Sequence, residues 1–446
     1  MKTIFITSFH VLTPRNILWT PVFDILLKSR MKIVLLVPKR KEEYFKKYFL
    51  SEQVSVEGIV IGGKTRIFWD WFFGKIFQAM NETVAVRIRY GGTFRRRPFA
   101  HFFYYTLINF LGSFRFVRKI LRMCDDRLAG GKRFETMLDR YSPNLIFSTD
   151  IIDKYDVELI RAARRRNIPV ISLVRSWDNL TNFGILRVIP DWLLVWNTVS
   201  EREAIQYHDV PRERIVVCGV PHYDFYTHGK RMSREEFLNG IGGDPNKKII
   251  LYSPTGAPRL LHDDADKFIL GILDKLDATI IVRFPPTNPV EMEEYIKPLN
   301  IVYDFPGVTF GKTSFGTDSI LERDDDERFA NELFHCDLVI CGPTTVALDA
   351  VVFNKPTILI NFNGHNTPFL DDQWENYQSE HLAKLLQSGS GRLVGSEKEL
   401  LEWVKKYLDD PSCDSDGRAR LVQSHCGVLD GKASERMAKF VLEKIS

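Results

Sequence analysis

Small, hydroxyl and acidic side chains crowd one stretch of this chain. Gly342, Pro343, Thr344 and Thr345 follow the apolar run Leu338–Cys341, and Asp349 lies between them and a second apolar run, Thr357–Asn361. The pattern reads as buried strand, turn, helix and buried strand. Thr344 and Thr345 fall where the helix begins, where unpaired N–H groups and the helix dipole favour an anion. Asp349 lies about one turn further on, placed to accept hydrogen bonds from a sugar. A phosphate seat with a carboxylate one turn away suits a nucleotide diphosphate. The same residues also fit a plain βαβ unit with threonine caps and a solvated aspartate.

Other polar residues follow apolar runs in the same way. In the second half, Ser253, Thr255 and Gly256 come after Lys248–Tyr252, offering hydroxyls and close backbone approach. Arg283 ends Thr279–Arg283, as a phosphate countercharge or a solvated strand end. Gly431, Lys432 and Ser434 open a last helix, where Lys432 and Arg436 share a face at i, i+4 spacing. In the first half, Ser8 and His10 follow the first apolar run, Thr149 and Asp150 follow Leu145–Ser148, and Arg175, Ser176, Trp177, Asp178 and Asn179 follow Pro169–Val174. A histidine or carboxylate there can take a proton from an acceptor hydroxyl. Asp150 equally fits a helix cap. Trp177 among polar side chains implies packing on a ligand or locking of the loop.

The elements that must hold these residues alternate along the chain. Apolar runs of four to seven residues fit strands covered on both faces. In the first half these are Lys2–Thr7, Lys32–Pro38, Gly58–Ile61, Leu145–Ser148, Pro169–Val174, Trp192–Trp196 and Arg214–Val217, with helices near Ile17–Lys28 and Val157–Arg166. Lys248–Tyr252, Thr279–Arg283, Ile301–Tyr303, Leu338–Cys341 and Thr357–Asn361 form a second set, with helices near Asp264–Leu276, Phe329–Phe334 and Thr345–Phe353. The βα alternation predicts an α/β chain of two Rossmann-like, doubly wound parallel-sheet domains facing a cleft. A polar stretch at 225–245 divides the chain into domains 1–228 and 229–446. The acidic run Asp324, Asp325 and Asp326 reads as a solvated helix start.

A length of 446 residues fits two domains. Six cysteines without CxxC spacing read as small core residues in a reducing compartment. The apolar start is too short for a signal peptide, and no run is long enough to span a bilayer. The net charge of +4 conceals a segment, 64–122, that carries +10 and leaves −6 for the remainder. That segment also holds 16 aromatic residues. Basic and aromatic side chains together suit an anionic membrane surface, nucleic acid, or an ordinary core with a basic rim. The membrane surface is the partner expected, and nucleic acid is not. A cytoplasmic protein, peripheral on the inner face of the membrane, follows.

Thr344, Thr345, Asp349 and Pro356 together resemble the nucleotide-binding turn of GT-B glycosyltransferases. Lys248–Thr255, Cys336–Ile360 and Asp430–Phe440 are arranged as in teichoic-acid-type CDP-glycerol glycerophosphotransferases, and Gly219–Asp224 resembles the hinge of that family. Ser176–Thr181 resembles a turn of surface-polysaccharide glycosyltransferases. The resemblance implies a nucleotide donor on the second domain and an acceptor on the first. The glycerophosphotransferases carry a His-Pro where this chain has Arg283-Phe284-Pro285-Pro286. That departure favours sugar transfer over polyol-phosphate transfer. UDP-sugar epimerases of the non-hydrolysing kind and a non-catalytic glycan-binding relative are the alternatives. The expected donor set is Ser253, Thr255, Arg283, Gly342, Thr344, Thr345, Asp349 and Lys432. His10, Asp178 and Asp150 are the expected catalytic residues, with no metal and no cofactor beyond a nucleotide-sugar substrate. The acceptor is a glycan or a lipid-linked glycan.

Overall fold

Valine, isoleucine and leucine runs without alternation build both sheets of this protein, because strands of a parallel sheet are covered on both faces. The computed structural model describes residues 1–61, 68–88, 99, 102–256, 264–286, 290, 292, 295–310, 319–364 and 374–445. Contacts divide the chain into two units: Met1–His222 with Lys432–Ser446, and Tyr223–Gly431.

In the first unit, β1 (Thr3–Thr7), β2 (Lys32–Pro38), β3 (Val54–Ile59), β4 (Leu145–Ser148), β5 (Val170–Leu173), β6 (Trp192–Val195) and β7 (Ile215–Val217) form one parallel sheet in the order β3-β2-β1-β4-β5-β6-β7. The order reverses between β1 and β4, so their carboxyl ends flank a topological switch point. Thr7, Ser148 and Asp156 knit that point together: the Thr7 and Ser148 hydroxyls donate to one Asp156 oxygen at 2.6 and 2.8 Å. The helix expected near Ile17–Lys28 divides into a π-type turn, Pro14–Leu18, and a helix, Pro21–Lys28. Pro21 has no N–H to continue a preceding helix and starts a new one instead. The third strand lies four residues earlier than expected at its start.

The second unit repeats the plan. Strands β8 (Lys248–Ser253), β9 (Ala278–Arg283), β10 (Ile301–Asp304), β13 (Leu338–Cys341), β14 (Thr357–Ile360) and β15 (Arg392–Val394) form a parallel sheet ordered β10-β9-β8-β13-β14-β15. An antiparallel pair, β11 (Val308–Thr309) and β12 (Ser319–Ile320), stands apart from it. The acidic run is not a solvated helix start throughout. Asp325 is buried and accepts from the backbone N–H groups of Glu322 at 2.7 Å and Gly307 at 2.9 Å, fastening the start of helix Arg323–His335.

The last helix, Ala433–Ile445, belongs to the first unit, whereas the sequence places it in a domain 229–446. Its apolar face (Met437, Ala438, Val441, Ile445) is buried there, and it packs on helix Pro21–Lys28. Arg436 donates to the Cys218 carbonyl at 3.0 Å.

The basic, aromatic segment builds helices Phe68–Ala79 and Arg115–Leu128 and the turns between them at Phe102–Ile108 and Asn109–Gly112. Its Lys64, Arg66, Arg89, Arg95, Arg96 and Arg97 lie outside the described residues. Phe73 and Phe77 join Met80, Ile108 and Ile185 in a small satellite core. Helix Arg115–Leu128 carries both apolar and charged side chains on its inner face, where Val117, Leu121 and Cys124 pack against that satellite core. The charged inner side chains are paired: Arg118 and Arg122 bind Asp209 at 2.7 and 3.1 Å, and fully buried Asp125 pairs with Arg187 at 2.8 Å and with Arg161. Its outer side chains include Phe116, Ile120 and Met123, exposed by 64, 53 and 47%. Among the described residues no helix is long and apolar enough to cross a membrane.

Candidate active site

The register of the second sheet pairs Cys341 with Ser253 across β13 and β8. The two loops with the expected hydroxyls therefore leave adjacent strands at the carboxyl end of the sheet, at its switch point. Ser253 is buried and Thr255 half-buried. The Thr255 and Gly256 N–H groups both donate to the carboxylate of Asp266 at 3.0 Å, and the Tyr252 hydroxyl donates to it at 2.7 Å. Those amides hold the loop and are not open to a phosphate. Burial raises the Asp266 pKa despite these three donors.

Gly342 is buried, Thr344 half-buried and Thr345 exposed. The Thr344 N–H donates back to the Gly342 carbonyl at 2.9 Å, closing a tight turn. The helix that follows, Val346–Val352, has seven residues and no side-chain cap from Thr345. The hydroxyls, more than a long helix dipole, are what this turn offers. Asp349 is not solvated: it is 3% exposed, and its charge adds to burial in raising the Cys426 thiol pKa.

Two expected donor residues are placed otherwise. Arg283 is buried, bound to Asp304, to Glu332 at 3.2 Å and to the Asp325 carbonyl at 3.1 Å, over the Phe329 ring. Its guanidinium is committed to the interior of the unit, neither a phosphate countercharge nor a solvated strand end. Lys432 is exposed and belongs to the first unit, whereas the other seven belong to the second. A cavity of about 550 Å³ in the second unit is lined by Phe225, Met232, Phe237, Arg328 and Glu332 among others, and by no residue of either loop.

In the first unit, His10, Asp150 and Arg175 leave β1, β4 and β5, strands adjacent in the sheet. The Leu12 N–H donates to His10 Nδ1 at 3.2 Å, which puts the imidazole proton on Nε2. Burial, then the charges of Arg175 and Lys41, hold the His10 pKa well below 6.5. His10 is therefore a neutral donor, with its acceptor nitrogen already used; this corrects its expected role as base. Asp150 is buried, accepts from the Ile152 N–H at 3.1 Å and pairs with Arg175, so it steadies the loops rather than the reaction. Asp178 is half-buried, and its two oxygens accept from Asn179 Nδ2 at 3.3 Å and Asn182 Nδ2 at 3.0 Å. Trp177 is buried at 4% exposure and locks the loop from within.

Known structures with the same architecture cover nearly all of the chain. It is similar to a protein assigned as a UDP-N-acetylglucosamine 2-epimerase from Listeria monocytogenes, at 12% identity over 99% of this chain and 96% of that one, with a TM-score of 0.56. It is similar to the UDP-GlcNAc 2-epimerase of Neisseria meningitidis bound to UDP-GlcNAc, at 11% identity over 99 and 100% of the two chains, with a TM-score of 0.52. A variant of the wall teichoic acid polymerase TagF matches at 12% identity over 100 and 89%, with a TM-score of 0.52. The fold is GT-B. At these identities the likeness carries the fold and leaves the chemistry to the residues. No family model and no curated protein sequence matches the chain.

Within this GT-B chain, two residues of the site region carry no signal that sequence spacing reveals. Asp266 lies ten residues beyond Gly256, inside what reads as the start of a helix. Lys41 sits in the charged stretch after β2, indistinguishable there from its solvated neighbours, yet it is 1% exposed. Burial, then the charge of Arg40, lowers its pKa to about 7.

Proposed function

We propose that this GT-B protein is a glycosyltransferase that moves a sugar from a nucleotide-activated donor to a glycan or lipid-linked acceptor in surface-polysaccharide assembly. The observation that carries the proposal is the Cys341–Ser253 register, which sets the Ser253–Gly256 and Gly342–Thr345 loops side by side at the switch point of the second sheet. The Thr344 and Thr345 hydroxyls bind the donor pyrophosphate and Asp349 the ribose. In an inverting reaction Asp178 takes the proton of the acceptor hydroxyl as that oxygen attacks the anomeric carbon and the nucleotide diphosphate leaves. The Asn179 and Asn182 amides aim the carboxylate. No divalent ion is assigned a part. The exposed basic and aromatic face supports work at the inner surface of an anionic membrane.

Asp178→Asn should lower turnover by about 10²–10⁴-fold with donor affinity kept, and wild-type transfer should persist in EDTA. Near-normal turnover of the variant removes Asp178 as base. Activity abolished by EDTA and restored by magnesium or manganese brings in a metal.

A second reading has a specific observation behind it: two of the similar structures carry the name UDP-GlcNAc 2-epimerase. An epimerase converts a nucleotide sugar with no acceptor present, and product analysis in that condition separates the two.

A further inference from the structure

No residue given a part in donor or acceptor binding lines the cavity of about 550 Å³ in the second unit. The cavity lies between Phe225, the stretch 230–232, helix Arg234–Ile241 and helix Arg323–His335. Its size is that of a small-molecule site. Phe225, Met232, Phe237 and Ile241 give it an apolar wall. Two aromatic rings and a thioether are side chains against which a flat ring packs well.

Two cations on the cavity lack a countercharge. The Arg231 guanidinium donates to the carbonyls of Phe225 at 2.7 Å, Tyr226 at 2.9 Å and Lys230 at 3.2 Å, and it lies over the Phe225 and Phe353 rings at 4.7 and 5.5 Å. Three of its five N–H groups are thereby used, which leaves the Nε–H and one Nη1–H for an acceptor. Burial lowers the Arg231 pKa, and no carboxylate charge opposes it. Lys230 is exposed and acts on Glu236 only at a distance. Among the described residues neither cation forms an ion pair. The other charges on the cavity are mostly spent. Glu332 binds Arg283 at 3.2 Å, Glu327 binds Arg323 at 3.2 Å, Glu236 accepts from the Ser233 N–H at 2.8 Å, and Arg328 binds Asp304 at 3.2 Å and Asp325 at 2.5 Å. Asp324 stands in the first turn of its helix, where the dipole favours a carboxylate.

Gly240 keeps the cavity open. It lies inside helix Arg234–Ile241, where glycine weakens a helix, yet its φ is not in the left-handed region and a Cβ there would meet nothing within 4 Å. Neither backbone conformation nor close packing calls for glycine at this position, whereas clearance for an occupant does.

We infer that the cavity is a binding site for a small aromatic anion, with a flat ring on the wall of Phe225 and Phe237 and a phosphate or carboxylate on Lys230 and Arg231. The site is separate from the donor loops and does not depend on the transferase proposal.

Calorimetry on the full-length chain tests this with phenyl phosphate and phenylacetate as probes, and with benzylamine and inorganic phosphate as controls. The wild type should bind at least one aryl anion more tightly than either control, and the tighter of the two shows which anionic group the cations take. Gly240→Leu should abolish that binding without lowering the melting temperature, because it fills the cavity while improving the helix. Arg231→Met should weaken binding by about tenfold or more, the size of one lost charge-assisted contact, and Lys230→Ala by a smaller factor. If Arg231→Met does not fold, Gly240→Leu and Lys230→Ala decide. Thr345→Val should leave probe binding unchanged. Loss of binding in Thr345→Val with none in Gly240→Leu places the probe at the donor loops and overturns the site. No binding of either aryl anion overturns it too, as does equal binding of benzylamine or unchanged affinity in Gly240→Leu.

Discussion

The backbone N–H of Leu12 decides what His10 can do. By occupying Nδ1 it leaves a ring that donates from Nε2 and resists a second proton. Asp178, with its oxygens held by two amides and partly open, is the better proton acceptor. Lys41 makes a separate demand on the fold. Unfolded, it keeps its proton to near its ordinary pKa of 10.5; folded, it loses it near 7. Between those values the unfolded chain binds more protons, so stability rises with pH from 7 upward, by as much as about 1.4 kcal/mol per pH unit from this group. Lys41→Met should remove that slope and be the more stable protein at pH 7 and below. Denaturant titrations at pH 7, 8 and 9 check this; parallel slopes for wild type and variant would contradict it. The residues that follow each strand are legible in the sequence because a buried apolar run has a visible end. Their partners are not. Arg283 reads as a phosphate countercharge or a solvated strand end, and only the fold brings Glu332 and Asp304 to it.

At the scale of elements, helix Arg115–Leu128 departs from the usual pattern of a surface helix by burying paired charges and leaving Phe116, Ile120 and Met123 outward. The carboxylates of this helix and of Phe68–Ala79, which are Asp70, Asp125 and Asp126, all lie in ion pairs with Arg161, Arg164 or Arg187. The charges left exposed on the two helices are Lys75, Arg115, Lys119 and Arg127, beside Phe68, Trp69, Trp71, Phe116 and Ile120. Positive charge among outward rings matches an anionic bilayer, where each basic residue contributes about 1 kcal/mol and the rings add insertion that salt does not screen. The protein should sediment with anionic but not neutral liposomes, less so in high salt. Phe116→Ser with Ile120→Ser should reduce sedimentation and leave thermal stability nearly unchanged, since both side chains are already in water. Absence of liposome binding, or tight binding to random oligonucleotides instead, would overturn the membrane assignment. Composition alone left membrane, nucleic acid and plain core open. The inner face settles part of that, because Phe73 and Phe77 are core while the outer rings are not. The ion pairs that bury the charges of this helix join residues some 30 to 90 positions apart, beyond what any local period shows.

On the scale of the whole molecule, two parallel sheets share one strand order, and each presents its chemistry-bearing loops at its own switch point. That much followed from runs of valine and isoleucine with polar residues at their ends. The allegiance of the last helix did not, because an amphipathic helix fits either unit and only its packing on helix Pro21–Lys28 decides. The central claim is that the second unit holds a nucleotide donor at the loops joined by the Cys341–Ser253 register. Titration calorimetry of UDP-, GDP-, CDP- and CMP-linked donors tests it most directly, against wild type, Asp349→Ala and Thr345→Val. Thr345 is exposed, so its variant cannot fail through loss of core packing. One donor class should bind the wild type, Asp349→Ala should weaken it by roughly 1–3 kcal/mol, and Thr345→Val should weaken it by a smaller amount. Binding of no nucleotide, or binding unchanged in both variants, would contradict the account.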